Sequence, residues 1–463
     1  MNLLKESPME QTALKRKLGL FDAVMVISGD MIGVGIFVTS GFIAETIPSP
    51  GGVLLIWLLG GLLALAGALS CAELSASLPL AGGDYIYIRE AYGKLIGFLS
   101  GWSSFLVTFS GSIAAIAVGF ASFMSYFFPI LGSDNVLFST AIIGHSIKVS
   151  IGTVFSIVAV LILSGIHYVG VRQGVLLQNI LTTLKIGSLL GIILLGVLVG
   201  KGSTEHFVPF FDLSKVTDMS LFGAAFIPVI FAYAGWNAVI YLAGEVKQPE
   251  RILPRALVWA NLMVILLYLA INVVYIYAVP VTQMKGALRV SEVATTALLG
   301  YQTSAWITAI ITVSIFGALN VVIMLGPRIY YAMAQDGVFF RGLARVHPTF
   351  GTPSNAIVLQ ALWSCILVLT GTFDALFTYV SVTISLFSAL TVGSVIVLRF
   401  KRPDLKRPYK LWGYPFVPIF FVLVNLWIAW GSLVSKPWES FGGVIIVGLG
   451  IPAYFFWQRR SKR

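Results

Sequence analysis

Charged residues are scarce in this sequence of 463 residues. Asp, Glu, Lys and Arg make up 11% of the chain, whereas a soluble domain carries about 25%. The hydrophobic residues, 58% of the total, extend from Phe21 to Trp457 and leave no long polar segment that could form a water-exposed domain. The shortage of charge therefore excludes a soluble protein.

Cysteine and histidine are also rare, with two and four residues. Cys71 and Cys365 both lie inside apolar stretches, where they pack as small hydrophobic side chains rather than form a disulfide. The histidines form no cluster with acidic residues, and no nucleophile motif accompanies them. We therefore expect no catalytic residue, no metal site and no cofactor, so the chain is not an enzyme.

Long apolar runs are what the sequence does have. A membrane-spanning helix needs ~20 mostly apolar residues, and twelve such stretches follow one another with short polar breaks. They predict an all-α polytopic membrane protein, and no polar pore stripe or filter repeat suggests an ion channel. The predicted spans are 21–45, 52–78, 95–128, 151–171, 176–200, 221–244, 255–279, 302–334, 355–372, 375–399, 411–433 and 440–457.

Lys and Arg, 30 in number against 19 Asp and Glu, flank these spans rather than form a nucleic-acid patch. An even number of spans puts both termini on one side. That side carries 23 Lys and Arg, the other carries 6, and Lys185 falls inside a span. Positive charges collect on the cytoplasmic side, which predicts a plasma (inner) membrane protein with both termini in the cytoplasm and membrane lipids around it.

Two predicted spans contain residues that break helices. The first span has three glycines within 29–35, and the sixth contains Gly235 with Pro228 just upstream. Interrupted segments at matching positions of two halves are the best sequence pointer to a secondary-transporter site. The predicted domains are a cytoplasmic tail (1–20), a first inverted repeat of five spans (21–200), a second one (221–400), spans 11 and 12 (411–457) and a C-terminal tail (458–463).

An interrupted helix exposes free N–H groups at one half and free C=O groups at the other. The first set suits a carboxylate and the second an ammonium, which together match the backbone groups of an amino acid. Aromatic side chains of the sixth span could cover such a ligand, or could only pack between helices. The predicted binding residues are Ile32, Gly33, Val34, Gly35, Ile36, Phe231, Ala232, Tyr233, Ala234, Gly235 and Trp236.

Two charges lie deep in spans, where charge is rare and marks function. Lys185, in span 5, could bond to carbonyls of the broken first helix and to a hydroxyl such as that of Ser314. Its fixed ammonium would then replace a sodium ion; with a lowered pKa, the same lysine could carry a coupled proton. Asp30, just before the first break, could stay solvated or pair with a cation of the protein or substrate.

Several segments, taken together and in order, resemble the amino acid–polyamine–organocation (APC) superfamily, and within it the L-type amino acid transporter (LAT) branch. The segments are GDMIGVGIFV (29–38), CAELSASLPLAGGDYIYIREAYG (71–93), LLQNILTTLKI (176–186), FAYAGWN (231–237), GEVKQPERILPRA (244–256), SIFGALN (314–320) and RVHPTFGTPSNAIVLQ (345–360).

The resemblance implies the LeuT-type five-plus-five inverted repeat plus two extra helices, alternating access, and sodium-independent exchange or facilitated transport of L-amino acids. It implies that Phe231 is a gating aromatic and that Lys185 replaces sodium. Relatives often carry a hydroxyl residue where this chain has Val34, and a neutral one in place of Asp30. LAT proteins of eukaryotes bind a glycoprotein through an outer cysteine; because no Cys lies in the predicted outer loops, we expect no disulfide-linked subunit.

Two alternatives to this function remain open at the level of sequence. One is a proton-coupled symporter of amino acids, amines or polyamines that uses Lys185 or Asp30. The other is a membrane protein that senses its substrate without transporting it. The side-chain specificity, the coupling and the oligomeric state do not follow from the sequence.

Overall fold

The computed structural model describes residues 14–142, 145–211, 226, 228–287, 289–370, 373–435 and 437–461. Most of the predicted N-terminal tail and the start of the sixth predicted span lie outside these residues. The described chain is mostly helical. Its helices are α1 (Leu20–Met31), α2 (Gly35–Thr46), α3 (Pro50–Ser77), α4 (Asp84–Tyr92), α5 (Lys94–Ser103), α6 (Phe109–Met124), α7 (Ile151–Val169), α8 (Val171–Leu198), α9 (Pro249–Ala278), α10 (Val281–Met284), α11 (Val290–Leu299), α12 (Ser304–Gln335), α13 (Ser354–Thr370), α14 (Phe373–Lys401), α15 (Phe416–Ser435) and α16 (Pro437–Ser461).

Shorter elements connect or interrupt these helices. A π-helical turn, Ser104–Thr108, joins α5 to α6, and a 3₁₀ segment, Ala238–Glu245, precedes α9. Strands β1 (Val136–Ile142) and β2 (His145–Ser150) form an antiparallel hairpin between α6 and α7.

Many of the described helices can cross a membrane. Seven continuous helical segments are long and apolar enough by length and composition, one of which runs from α5 through the π-helical turn to α6, and the bent pair α1–α2 makes an eighth if it is one span. They coincide with predicted spans, and α13, α15 and α16 lie at the ninth, eleventh and twelfth predicted positions. The chain is therefore a multi-pass helical membrane protein.

Local sequence explains several helix boundaries. Pro50 occupies the first turn of α3, where its missing N–H costs nothing. Gly93 separates α4 from α5 with a φ of 96°, which a residue with a side chain rarely adopts. At the start of α7, Ser150 and Thr153 cap each other's backbone N–H groups.

Helix α1 occupies the middle of the bundle. It packs on α8, α9 and α12, while α9 also runs along α3. Phe37 and Trp57 are fully buried at this centre, together with Tyr268. Any interruption of α1 therefore lies inside protein, where non-helical backbone is tolerated at membrane depth.

Candidate functional site

The first span is interrupted as its glycines predicted. Helix α1 ends at Met31, residues 32–34 are not helical, and α2 starts at Gly35 in a direction bent by 42°. No side chain caps the start of α2. The interruption therefore leaves backbone groups without helical partners in the interior of the bundle.

Three consecutive N–H groups are left free at this break. The N–H of Gly33 donates to Met31 O at 2.9 Å, but those of Val34, Gly35 and Ile36 donate to no described residue. They form the positive end of the α2 dipole. Such an arrangement suits a carboxylate without any charged side chain.

The second break lies in the sixth predicted span. Residues 228–232 are helical, 233–237 form turns, and the 3₁₀ segment follows. Gly235 has a φ of 94°, a conformation that a side chain would strain. The carbonyls of Tyr233 and Ala234 accept no hydrogen bond from another described residue, whereas Phe231 O accepts from Ala234 N at 3.0 Å. Two acceptors are thus free here.

The two breaks contact each other. A Cβ placed on Gly35 would lie 2.7 Å from the Cα of Ala232, so only glycine permits this approach. A Cβ on Gly235 would lie 2.6 Å from a carboxylate oxygen of Asp30. The segment with the free donors is therefore in direct contact with the segment that carries the free acceptors.

Each of the two breaks has residues with accessible surface next to buried ones. Asp30, Gly33 and Val34 keep accessible surface, while their neighbours Met31 and Ile32 are buried. Across the contact, Phe231, Ala234, Gly235 and Asn237 are accessible between buried neighbours. Both segments therefore carry accessible residues close to the place where they touch.

The aromatic residues of the second break differ in their environment. Phe231 is half-buried, whereas Tyr233 and Trp236 are buried. The Tyr233 hydroxyl donates to Trp57 O at 3.1 Å, and the Trp236 ring meets Phe421 edge-on at 5.4 Å. Tyr233 and Trp236 thus pack between helices, and Phe231 is the aromatic side chain with accessible surface.

Tyr268 joins the two breaks. Its hydroxyl lies 2.7 Å from Met31 O and 3.1 Å from Ala232 O, carbonyls on either side of the contact. Sequence reasoning missed this residue, because a tyrosine within the apolar span of α9 gives no sign of which helix it faces. Its hydroxyl fixes the separation between the two broken segments.

Lys185 of α8 reaches the first break from the opposite side. Its buried ammonium donates to Gly29 O at 2.7 Å and to Ile32 O at 2.8 Å. The hydroxyl of Ser314 is also buried, but it has no hydrogen-bond partner among the described residues. In this conformation the ammonium therefore bonds to the carbonyls and not to Ser314.

A polar network holds α8 beside α1. Thr182 donates to Met25 O at 3.1 Å and accepts from the Gln178 amide, whose oxygen accepts from Asn320 of α12 at 2.9 Å. A side chain on Gly29 would overlap Gln178 and Thr182. The close approach of the two helices brings Lys185 within reach of the broken segment.

Comparison with known proteins adds to this geometry. The amino acid permease family matches residues 18–451. The chain is 32% identical to the serine/threonine exchanger SteT of Bacillus subtilis, over 98% of this chain and 99% of that protein. It is 32% identical to the rabbit large neutral amino acids transporter small subunit 2 (97% and 82% covered) and 30% identical to the mouse Asc-type amino acid transporter 1 (98% and 84%).

The chain belongs to the amino acid permease family. It is therefore a transporter of the APC superfamily with LAT-like relatives, and not an enzyme. The resemblance drawn from its motifs is confirmed. The match covers both breaks and all the helices that surround them.

In this permease, two buried carboxylates are neutralised near one end of the bundle. Glu245 receives Arg328 Nε at 2.8 Å and Nη2 at 3.3 Å, and both side chains are fully buried. Glu73 receives Arg399 Nη2 at 2.6 Å, with Arg407 at 3.5 Å. These pairs tie the 3₁₀ segment to α12, and α3 to α14.

Asp84 at the start of α4 carries a third carboxylate of the permease. It accepts from the Tyr241 hydroxyl at 2.6 Å and from Asn237 Nδ2 at 3.4 Å. Tyr241 lies in the 3₁₀ segment, and Asn237 is the last residue of the second break. Burial raises the pKa of the Asp84 carboxyl to about 6, although these hydrogen bonds lower it. Helix α4, which lies between the second and third predicted spans, is thereby hydrogen-bonded to the sixth predicted span.

A separate cleft of about 600 Å³ lies at the far end of α9. It is lined by Val279, Gln283, Ala287, Arg289 and Glu292, among others. Glu292 pairs there with Arg289 at 3.5 Å. None of these residues belongs to either break, so the cleft is distinct from the site built by α1, α2 and the sixth span.

Proposed function

We propose that this permease is a sodium-independent secondary transporter of L-amino acids that works by alternating access. The observation that carries the proposal is the contact between the two breaks, with free N–H groups on one and free carbonyls on the other. The substrate carboxylate binds the N–H groups of Val34, Gly35 and Ile36. Its ammonium binds the carbonyls of Tyr233 and Ala234.

Lys185 has the role of a fixed cation in this mechanism. An ammonium that already neutralises the dipoles of Gly29 O and Ile32 O leaves no need for a sodium ion at the same place. Transport then proceeds equally well in sodium-free buffer. Ser314 becomes a partner of Lys185 only if the site rearranges during the cycle.

The permease topology that we propose has twelve spans. Residues 21–200 and 221–400 form inverted repeats of five spans each, and residues 411–457 add two more. The α-helices of the described residues lie at eleven of the twelve predicted positions, and residues 228–232 at the sixth are helical, which supports this count. The distribution of Lys and Arg supports cytoplasmic termini in the plasma membrane.

Exchange is the mode we favour, because one relative is named as an exchanger. The test is flux in proteoliposomes that hold purified permease. Preloading them with unlabelled amino acid is expected to stimulate uptake of labelled amino acid, while replacing sodium by choline leaves uptake unchanged. Uptake that needs sodium would contradict the role of Lys185.

The same proteoliposomes separate the alternatives. Accumulation that an inward proton gradient drives, without internal amino acid, would identify a proton symporter instead. Binding without any flux would identify a sensor. Full activity of the purified chain alone is expected, since Cys71 is buried and we propose no disulfide-linked subunit.

A further inference from the structure

We propose that Asp30 binds a cationic group of the substrate, so that the permease prefers amino acids with a positively charged side chain. The inference rests on the proposed function, because it places the side chain of an amino acid whose backbone groups occupy the two breaks. The inference specifies the kind of side chain, which the backbone groups that bind the substrate carboxylate and ammonium do not determine.

Asp30 is a carboxylate without a direct partner. It accepts no hydrogen bond from a described residue, and no described Lys, Arg or His lies within 4.0 Å of its oxygens. Lys185 is close enough to attract it, yet the ammonium of Lys185 donates to Gly29 O and Ile32 O. A charge at this depth ordinarily pairs with another group or marks a substrate pathway.

The position of Asp30 connects it to the site. Its carboxylate packs against Gly235, where a positive φ and the absence of Cβ leave room for it. It keeps accessible surface, as do Gly33 and Val34 beyond the end of α1. Gly235 directly follows Ala234, whose carbonyl we assign to the substrate ammonium, so a cationic side chain of that substrate lies within reach of Asp30.

Electrostatics favours a cation in this place. Desolvating a carboxylate without a partner is costly, and a substrate ammonium recovers that cost as an ion pair. A neutral aliphatic side chain in the same position would leave Asp30 without a direct partner, and with only the more distant attraction of Lys185. The site therefore discriminates against a substrate that leaves the Asp30 carboxylate unpaired.

Lysine and norleucine form a matched pair for the test, since their side chains differ at the terminal ammonium. Thermal stabilisation of the purified full-length permease is measured with each at several concentrations. The wild-type protein is expected to bind lysine about tenfold more tightly than norleucine, which corresponds to ~1.4 kcal/mol. Asp30→Asn is expected to remove this preference, and Asp30→Glu to retain most of it.

Asp22→Asn is the control, because Asp22 lies on the same helix but accepts from Asn179 and from Gly19 N. It is expected to leave the lysine preference unchanged. If Asp30→Asn fails to fold, norleucine binding at least as tight as lysine binding in the wild type still overturns the inference.

Three results would contradict the inference in different ways. Binding of norleucine without lysine would overturn it and leave the proposed function intact. A preference unchanged by Asp30→Asn, with loss of proton-driven norleucine accumulation in that variant, would make Asp30 a proton carrier. No stabilisation by any amino acid would overturn the proposed function itself, and the inference with it.

Discussion

Gly317 of α12 makes room for Lys185 of α8: a methyl group on this glycine would lie 2.7 Å from the lysine Cε and 2.8 Å from its Nζ. Because Gly317 has no Cβ, the lysine side chain fits beside α12 while its ammonium donates to the carbonyls of Gly29 and Ile32. Three helices thus fix one charge at the interruption of the first span.

Replacing Lys185 with alanine is expected to lower amino acid uptake by at least about tenfold. The change leaves two carbonyl dipoles without their cation inside the bundle, and an unpaired buried group costs about 1–3 kcal/mol. Uptake into proteoliposomes measures the effect. Thr183→Ala is the control, because Thr183 is exposed on the same helix and its hydroxyl donates only to Asn179 O. Normal uptake by Lys185→Ala would mean that the lysine only fills space.

Gly35→Val is expected to abolish uptake while the protein remains folded. A side chain at this position would overlap the backbone of Ala232 and separate the two breaks. Gly187→Val is the matched control, since Gly187 is exposed and a Cβ there meets no atom within 4 Å. Uptake is measured after size-exclusion chromatography has shown an intact protein. Retained uptake in Gly35→Val would argue strongly against the binding site described here.

Tyr268→Phe removes the hydroxyl that reaches both breaks. We expect substrate affinity to fall by about tenfold, because hydrogen bonds of this kind contribute about 0.5–1.5 kcal/mol each. The maximal rate is expected to change less than the KM, since the hydroxyl positions backbone and touches no substrate. Tyr277→Phe on the same helix is the comparison, and an equal loss in both variants would show a general effect of losing a tyrosine hydroxyl.

Breaking the buried ion pair of Glu245 and Arg328 is expected to lower the stability of the folded protein. Glu245→Gln leaves the Arg328 guanidinium uncompensated in the interior, and breaking such a pair costs about 3–5 kcal/mol. Thermal unfolding of the purified protein measures this cost. Arg289→Gln breaks a pair at the surface, worth at most about 1 kcal/mol, and is expected to shift the melting temperature far less. Equal shifts would show that Arg328 finds water or another partner.

Asp84 predicts a dependence of stability on pH. Its pKa, raised from 3.8 to about 6 by burial, means that the folded protein binds a proton more tightly than the unfolded chain. Stability contributed by this group is therefore present below pH 4 and is lost as the pH rises through 6. Asp84→Asn is expected to remove this part of the slope when melting temperature is plotted against pH. An unchanged slope would mean that other titratable groups cause the pH dependence.

Much of the architecture follows from the sequence because apolar runs of membrane length are unambiguous. The break in the first span was predictable from Gly33 and Gly35, since glycines in such a run have a local signature. The position of Lys185 well inside the fifth predicted span was also predictable, because it follows from counting residues from the boundary of that span.

The pairing between helices was not predictable in the same way. Tyr268 and Gly317 look like ordinary residues of apolar spans until the rotation of α9 and α12 is known. Arg328 is similar: nothing in the sequence alone showed that the interior of α12 supplies the partner of Glu245. The role of Ser314 stays a prediction, because its hydroxyl bonds to no described residue here.

The start of the described chain is tied to the end of the sixth span by backbone alone. Lys17 and Leu18 donate to Glu245 O at 2.8 and 3.0 Å, and Lys247 donates to Leu18 O at 2.9 Å. These bonds couple the two interrupted helices mechanically on the side of Glu245. A tilt of either segment would have to move the other or break all three hydrogen bonds, so we expect the two segments to move together.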